Sequence, residues 1–108
     1  MLMLDVRRYE RLRVSTSEDG AVVRLVFDHG KANEMGTVEL RELETLAGAL
    51  AADGDARALI STSRKVTSKG TPIFVAGANV SERVGWSEAQ VLAHVDWQRS
   101  VLGALRDL

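Results

Sequence analysis

Cysteine is absent from this 108-residue chain, which excludes disulfides, thiolate nucleophiles and Cys-based zinc sites. Histidine is scarce: His29 and His94 are the whole supply, too few for a His-rich metal site, and no metal is expected. Aromatic residues are few as well, with two Trp, two Phe and one Tyr, so Trp86 and Trp97 read as packing residues rather than stacking platforms. No long hydrophobic run exists. Met1 to Leu4 is apolar, but Asp5 and Arg7-Arg8 cut it off. A secretory core needs about 7–15 apolar residues and a membrane span about 20. Charge of one sign is missing too: 14 Lys plus Arg stand against 15 Asp plus Glu, for a net charge of −1. That balance gives no electrostatic reason to expect nucleic acid or an anionic membrane surface. A few local amides and cations can still hold a phosphate on a neutral protein. The expectation is a cytoplasmic protein with neither nucleic acid nor membrane as partner.

The composition that remains is that of one soluble globular domain, 45% hydrophobic and 27% charged. Tyr9 to Ser15 places Tyr9, Leu12 and Val14 among charges and predicts an edge or half-exposed strand. After the turn signal Glu18-Asp19-Gly20, Ala21 to Asp28 is β-branched and mostly apolar, the pattern of a strand buried over most of its surface. The two should pair as a hairpin. His29 to Asn33 is a loop, Thr37 a candidate helix N-cap, and Val38 to Ala52 a helix with Leu43, Leu46, Ala47 and Leu50 on one face. Asp53-Gly54-Asp55 ends it. Ala56 to Thr62 is a third strand, and the polar, basic stretch Ser63 to Gly70 a mobile excursion. Ile73-Phe74-Val75 is a short fourth strand that runs into Ala76-Gly77-Ala78-Asn79. Ser87 and Gln90 form a capping-box pair. They open a final helix from about Glu88 to Asp107, with Val91, Leu92, Val95, Leu102 and Leu105 on one side.

The order β-β-α-β-β-α predicts an α/β layer arrangement, helices packed on a sheet. Three segments in this order and spacing resemble the enoyl-CoA hydratase/isomerase (crotonase) superfamily. They are the strand ending near Asp28 followed by Lys31-Ala32-Asn33 and a helix, then Asp55 to Ile60, then Ile73 to Val80 with its Ala-Gly-Ala-Asn turn. The family usually carries Asp where this chain has Asn79, so a charged role there is in doubt. The resemblance runs from Tyr9 to Leu108. It implies the first turns of a spiral of β-β-α repeats, with residues 1–108 as the N-terminal part of a crotonase-like domain whose C-terminal part is absent.

What the resemblance further implies concerns acyl-CoA thioesters. The backbone N–H of Ala78 would serve as an oxyanion donor. Lys31, Ala32 and Asn33 would line the nucleotide part of the coenzyme A site. Ala76 would contact its adenine end through the backbone, with Gly77 allowing close approach. Coenzyme A enters as part of the substrate and not as a resident cofactor. Partners would be a second half, in the same chain or another, and further copies in a trimer or hexamer.

Several roles stay open at this stage. Lys31 either meets a CoA phosphate as a point charge or is a solvated loop lysine, and its side chain alone fits both. Lys65 and Lys69 lie in the basic loop and either attract CoA phosphates at longer range or, as the preferred reading, belong to a solvated charged loop. Glu82 and Arg83 border a pocket or form a surface ion pair, and His94 is a mid-helix structural or exposed residue. Ser61-Thr62-Ser63 lacks the glycine spacing of a nucleophile elbow. No carboxylate matches a family acid or base. The chain is therefore expected to act as the acyl-CoA-binding, oxyanion-bearing part of an enzyme. The alternative is a non-catalytic acyl-CoA-binding or subunit-assembly module.

Overall fold

The computed structural model describes residues 9–108; the apolar start Met1 to Leu4 and the charges after it lie outside the described residues. The expected hairpin forms from β1 (Leu12–Thr16) and β2 (Val22–Phe27), paired antiparallel with Leu12 opposite Phe27 and Thr16 opposite Val23. Its turn is closed by Asp19, whose carboxylate accepts bonds from the Ala21 N–H and the Ser17 hydroxyl. Those two bonds hold the Asp19 carboxyl below its usual range, the backbone bond contributing most. Along β2 the strand alternates: Val23, Leu25 and Phe27 are buried while Arg24 is exposed. One face alone is covered, which is less burial than the apolar run suggested.

Helix α1 (Thr37–Ala52) lies over that face and buries Leu40, Leu43, Leu46, Ala47 and Leu50. With Leu12, Val14 and Met35 these residues make the core. Burying a Leu or Val side chain stabilises by about 1.5–3 kcal/mol, so the sheet–α1 seam is the main hydrophobic source of stability. Glu42 of α1 also reaches the start of β1, its carboxylate accepting the Glu10, Arg11 and Leu12 N–H groups at 2.6, 2.7 and 2.9 Å.

After α1 the chain returns as β3 (Ala58–Ser63), parallel to β2, with Val22 opposite Ala58 and Phe27 opposite Ser63. Parallel pairing requires a crossover of a dozen or more residues, and α1 supplies it. The sheet order is β1-β2-β3, so β3 is an edge, and most of it is exposed.

The second half departs from the expected repeat. The stretch Ser63 to Gly70, expected to be a mobile excursion, is folded back as a small ladder of β4 (Lys65–Val66) with β5 (Pro72–Ile73). The fourth strand is shorter than expected, because Phe74 to Gly77 leave this ladder to lie against the loop before α1. Among the described residues β4 and β5 form a separate two-stranded ladder before α2 and do not extend the first sheet.

Helix α2 (Glu88–Arg106) closes the chain and begins with the expected capping box of Ser87 and Gln90. Its packed side differs from the expected one. His94 and Val101 are buried, with Trp97 and Leu105 packed beside the core, at i, i+3, i+7 and i+11. Leu92 and Leu102 remain exposed, at 58% and 43%. The helix docks on α1 through a narrow stripe, and Trp97 Nε1 adds a hydrogen bond to Glu44 at 2.9 Å.

Candidate functional site

The segment Phe74 to Asn79 is held to the loop before α1 by backbone bonds at three levels. Ala76 N–H donates to the Ala32 carbonyl at 3.0 Å, Met35 N–H to the Gly77 carbonyl at 2.7 Å, and Asn79 N–H to the Met35 carbonyl at 2.9 Å. The last two make an isolated parallel bridge between Met35 and Ala78. In such a bridge the residue between the two bonds turns its own N–H and C=O to the opposite side. The Ala78 N–H therefore faces away from Met35, and among the described residues it has no backbone or side-chain acceptor.

Gly77, just before it, has φ 120°, a conformation that L side chains rarely adopt. A Cβ there would meet nothing within 4 Å. The glycine is thus required by the backbone and not by crowding, and the space over it is open. Beside it lies an apolar cavity of about 300 Å³, lined by Leu25, Phe27, Met35, Phe74, Gly77 and Leu102 among others. Phe27 and Phe74 meet edge to face in its wall, 5.3 Å between ring centroids. A larger groove of about 850 Å³ runs between the end of α1, the start of β3 and the end of α2, and none of the expected site residues lines it.

The structure brings Ala32, Asn33, Ala76, Gly77 and Ala78 together and leaves the Lys31 side chain exposed beside them. Asn33 occupies a different chemical position from an open ligand contact. It is 3% exposed and has φ 56°. Its Oδ1 accepts the His29 N–H at 2.8 Å, and its Nδ2 donates to Ser63 Oγ and to the Phe74 carbonyl, both at 2.8 Å. Both ends of the amide are engaged, so the residue fixes the loop and the Ala78 segment relative to each other. Lys65 is half-buried against Asp28 at 3.1 Å, and Lys69 is exposed. The Lys65 hydrogen bond holds the Asp28 carboxyl below its ordinary value against the opposing effect of burial, and the charges of Lys65, Arg13 and Arg64 act in the same direction as that bond.

On the far side of the turn, residues Val80–Arg83 form a short 3-10 helix. There Glu82, open in the sequence between a pocket border and a surface ion pair, makes contacts that neither reading includes. Its carboxylate accepts the Thr37 N–H at 3.0 and 3.2 Å and the Thr37 hydroxyl at 3.0 Å. Thr37 is consequently not the N-cap. Gly36 holds that position, without a side-chain bond of its own, and Glu82 reaches in from outside. His94 is structural and 8% exposed. Its Nε2 lies 3.2 Å from Thr37 Oγ1 and 3.4 Å from Glu82, and its Nδ1 lies 3.3 Å from Arg83 Nη2. Because a guanidinium only donates, Nδ1 serves as acceptor there and Nε2 carries the proton toward Thr37 and Glu82.

The backbone course matches crystallised enzymes. The chain superimposes on an enoyl-CoA hydratase from Bacillus anthracis with a TM-score of 0.75 and 24% identity, covering 88% of this chain and 35% of that one. A Mycobacterium smegmatis enoyl-CoA hydratase matches with a TM-score of 0.72 and 22% identity, with coverage of 88% and 35%. One from Shewanella pealeana matches at 0.74 and 17%, with 93% and 36% covered. The fold is that of enoyl-CoA hydratases. At these identities the likeness is one of fold, and the chain spans about a third of the length of the hydratases it matches. That share is consistent with the N-terminal portion expected from the sequence. No family model and no curated protein sequence matches it. Among the described residues, no helix of the hydratase-like fold is long and apolar enough to cross a membrane.

Proposed function

We propose that this chain is the acyl-CoA-binding, oxyanion-stabilising part of an enoyl-CoA hydratase- or isomerase-like enzyme, with Ala78 N–H as one donor. The observation that carries the reading is the outward-facing Ala78 N–H, set beside open space at Gly77 and an apolar cavity of about 300 Å³. A thioester oxygen gains negative charge when a proton leaves the α-carbon or when a nucleophile adds. A donor fixed in advance stabilises that charge without reorganising, and losing one such donor typically costs about 2.7–4 kcal/mol of barrier. The neighbouring cavity suits the acyl chain. Ala76 and Lys31 flank the turn on the side where the coenzyme would lie, Ala76 through its backbone and Lys31 as a point charge toward a phosphate. Coenzyme A is substrate here and not a resident group.

Hydration also needs groups that activate water and protonate the α-carbon. Glu82, the acid nearest the turn in sequence, is engaged by Thr37 and His94. That engagement favours a chain that binds and polarises the thioester while the acid and base come from elsewhere, in a cytoplasmic trimer or hexamer or from a complementary chain. On its own the 108-residue chain then acts as an acyl-CoA-binding module.

The test is a titration with crotonyl-CoA, butyryl-CoA and free CoA, followed by calorimetry and by amide shifts in two-dimensional NMR. We expect saturable binding of the thioesters, with the largest shifts at Gly77 and Ala78. Absence of binding at millimolar thioester, or shifts that avoid the 76–79 segment, would refute the reading.

A further inference from the structure

We infer that Glu82 is the positioning residue for the Ala78 N–H: it clamps the turn that follows Ala78 to the first residue of α1. The inference rests on the reading of Ala78 as the donor and adds to it the element that fixes the donor's direction. The bridge to Met35 holds the turn from one side only, through the Met35 N–H and C=O. Four residues beyond Ala78, the Glu82 carboxylate takes the Thr37 N–H and hydroxyl, two residues beyond Met35. Both chains of the bridge are therefore tied again a short distance downstream, and the Ala78 peptide lies inside a closed ring of bonds. Opening one side of that ring lets the peptide rotate about Gly77, whose backbone freedom is otherwise large.

Three further observations support a built clamp over a chance surface contact. Gly36 leaves room for the carboxylate, since a Cβ at Gly36 would stand 2.9 Å from Glu82 Oε2 and 3.4 Å from Asn79 Cβ. The carboxylate sits at the positive end of α1, where an anion is favoured. On its other side the buried His94 of α2 lies with Nε2 3.4 Å from Oε1. Glu82 is thus bonded to the first residue of α1 and flanked by α2, and the turn is carried with it.

The experiment compares hydrogen exchange and thioester binding in Glu82→Ala, Glu82→Gln and Gly36→Ala. In Glu82→Ala the protection of the Met35 and Asn79 amides should fall roughly tenfold or more, the scale of a lost charge-assisted bond. The fall should exceed any change at Leu43 and Leu46 in the middle of α1, which report global opening. Glu82→Gln keeps an oxygen able to accept from Thr37 and should retain most of the protection. Gly36→Ala leaves Glu82 in place but pushes on its carboxylate, and should reproduce a milder form of the loss even where Glu82→Ala fails to fold. Affinity for butyryl-CoA should drop severalfold in Glu82→Ala while affinity for free CoA, which lacks the thioester carbonyl, stays as in the parent.

The clamp is overturned if Met35 and Asn79 keep parental protection in the variants, or lose it only in step with Leu43 and Leu46. If the parent protein binds no thioester at all, the reading of Ala78 fails, and the exchange data still decide whether Glu82 holds the turn.

Discussion

Asn33 shows how much one side chain carries in this fold. It accepts φ 56°, which few residues other than glycine tolerate, and its amide joins the end of the first loop to Ser63 and to Phe74, 30 and 41 residues away in sequence. Asn33→Ala leaves the His29 N–H and the Phe74 carbonyl without their buried partner, and an unsatisfied buried group costs about 1–3 kcal/mol. We expect a loss of about 2–4 kcal/mol, read as a lower urea midpoint at unchanged slope. Asp28 offers a gentler case. Its carboxyl is held down chiefly by the Lys65 hydrogen bond, so Lys65→Met should bring its titration, followed by carbon-13 NMR, back up toward the ordinary value. Because the folded carboxyl is depressed, the associated stability is present above the unfolded value and is lost as pH falls through the folded one. The effect should be small, because the pair still reaches solvent and is screened by it. The sequence placed Asn33, Ala76, Gly77 and Ala78 in one neighbourhood through a motif, yet it gave no sign that the Asn33 amide is buried. A side chain's partners are invisible when they come from segments that only the fold brings together.

At the scale of elements, the two helices differ in how their first turns are satisfied. Helix α2 carries its own cap: Ser87 Oγ accepts the Gln90 N–H at 3.2 Å and Gln90 Oε1 accepts the Ser87 N–H at 2.7 Å. The motif is local, so it was legible in the sequence. Ser87→Ala should cost about 1 kcal/mol and lower the thermal midpoint by a few degrees, with amide exchange fastest at the first turn of α2. Helix α1 borrows its cap from Glu82, 45 residues on, and the sequence named Thr37 instead because a hydroxyl there fits the local rule. The packed side of α2 is hard to read from sequence for a related reason. A helix with apolar residues on more than one side does not declare which side will dock, and here Trp97 and His94 go in while Leu92 and Leu102 stay out.

At the scale of the molecule, the main sheet has three strands among the described residues and one covered face, and its strands are not equally protected. Strand β2 is paired on both sides and β3 on one, while Ile60 of β3 is 42% exposed. Amides of Val23 and Leu25 should exchange slowest in the protein, and the amides of β3 markedly faster. Equal protection in solution would mean that the free edge of β3 is covered by another chain. The α/β class and the first β-β-α unit were legible because period-2 and period-3.6 patterns are local. The parallel return of β3 and the folding of the basic stretch into a ladder depend on long-range pairing and were not. The placement of the two indoles has an optical consequence. Trp86 and Trp97, the only tryptophans in the chain, both stand edge-on to His94, at 5.1 and 5.6 Å. Intrinsic tryptophan fluorescence in this protein therefore reports on the packed face of α2, where it meets α1, Thr37 and Glu82. An emission change that precedes the loss of far-ultraviolet dichroism would mark α2 lifting from α1 before the rest of the molecule unfolds.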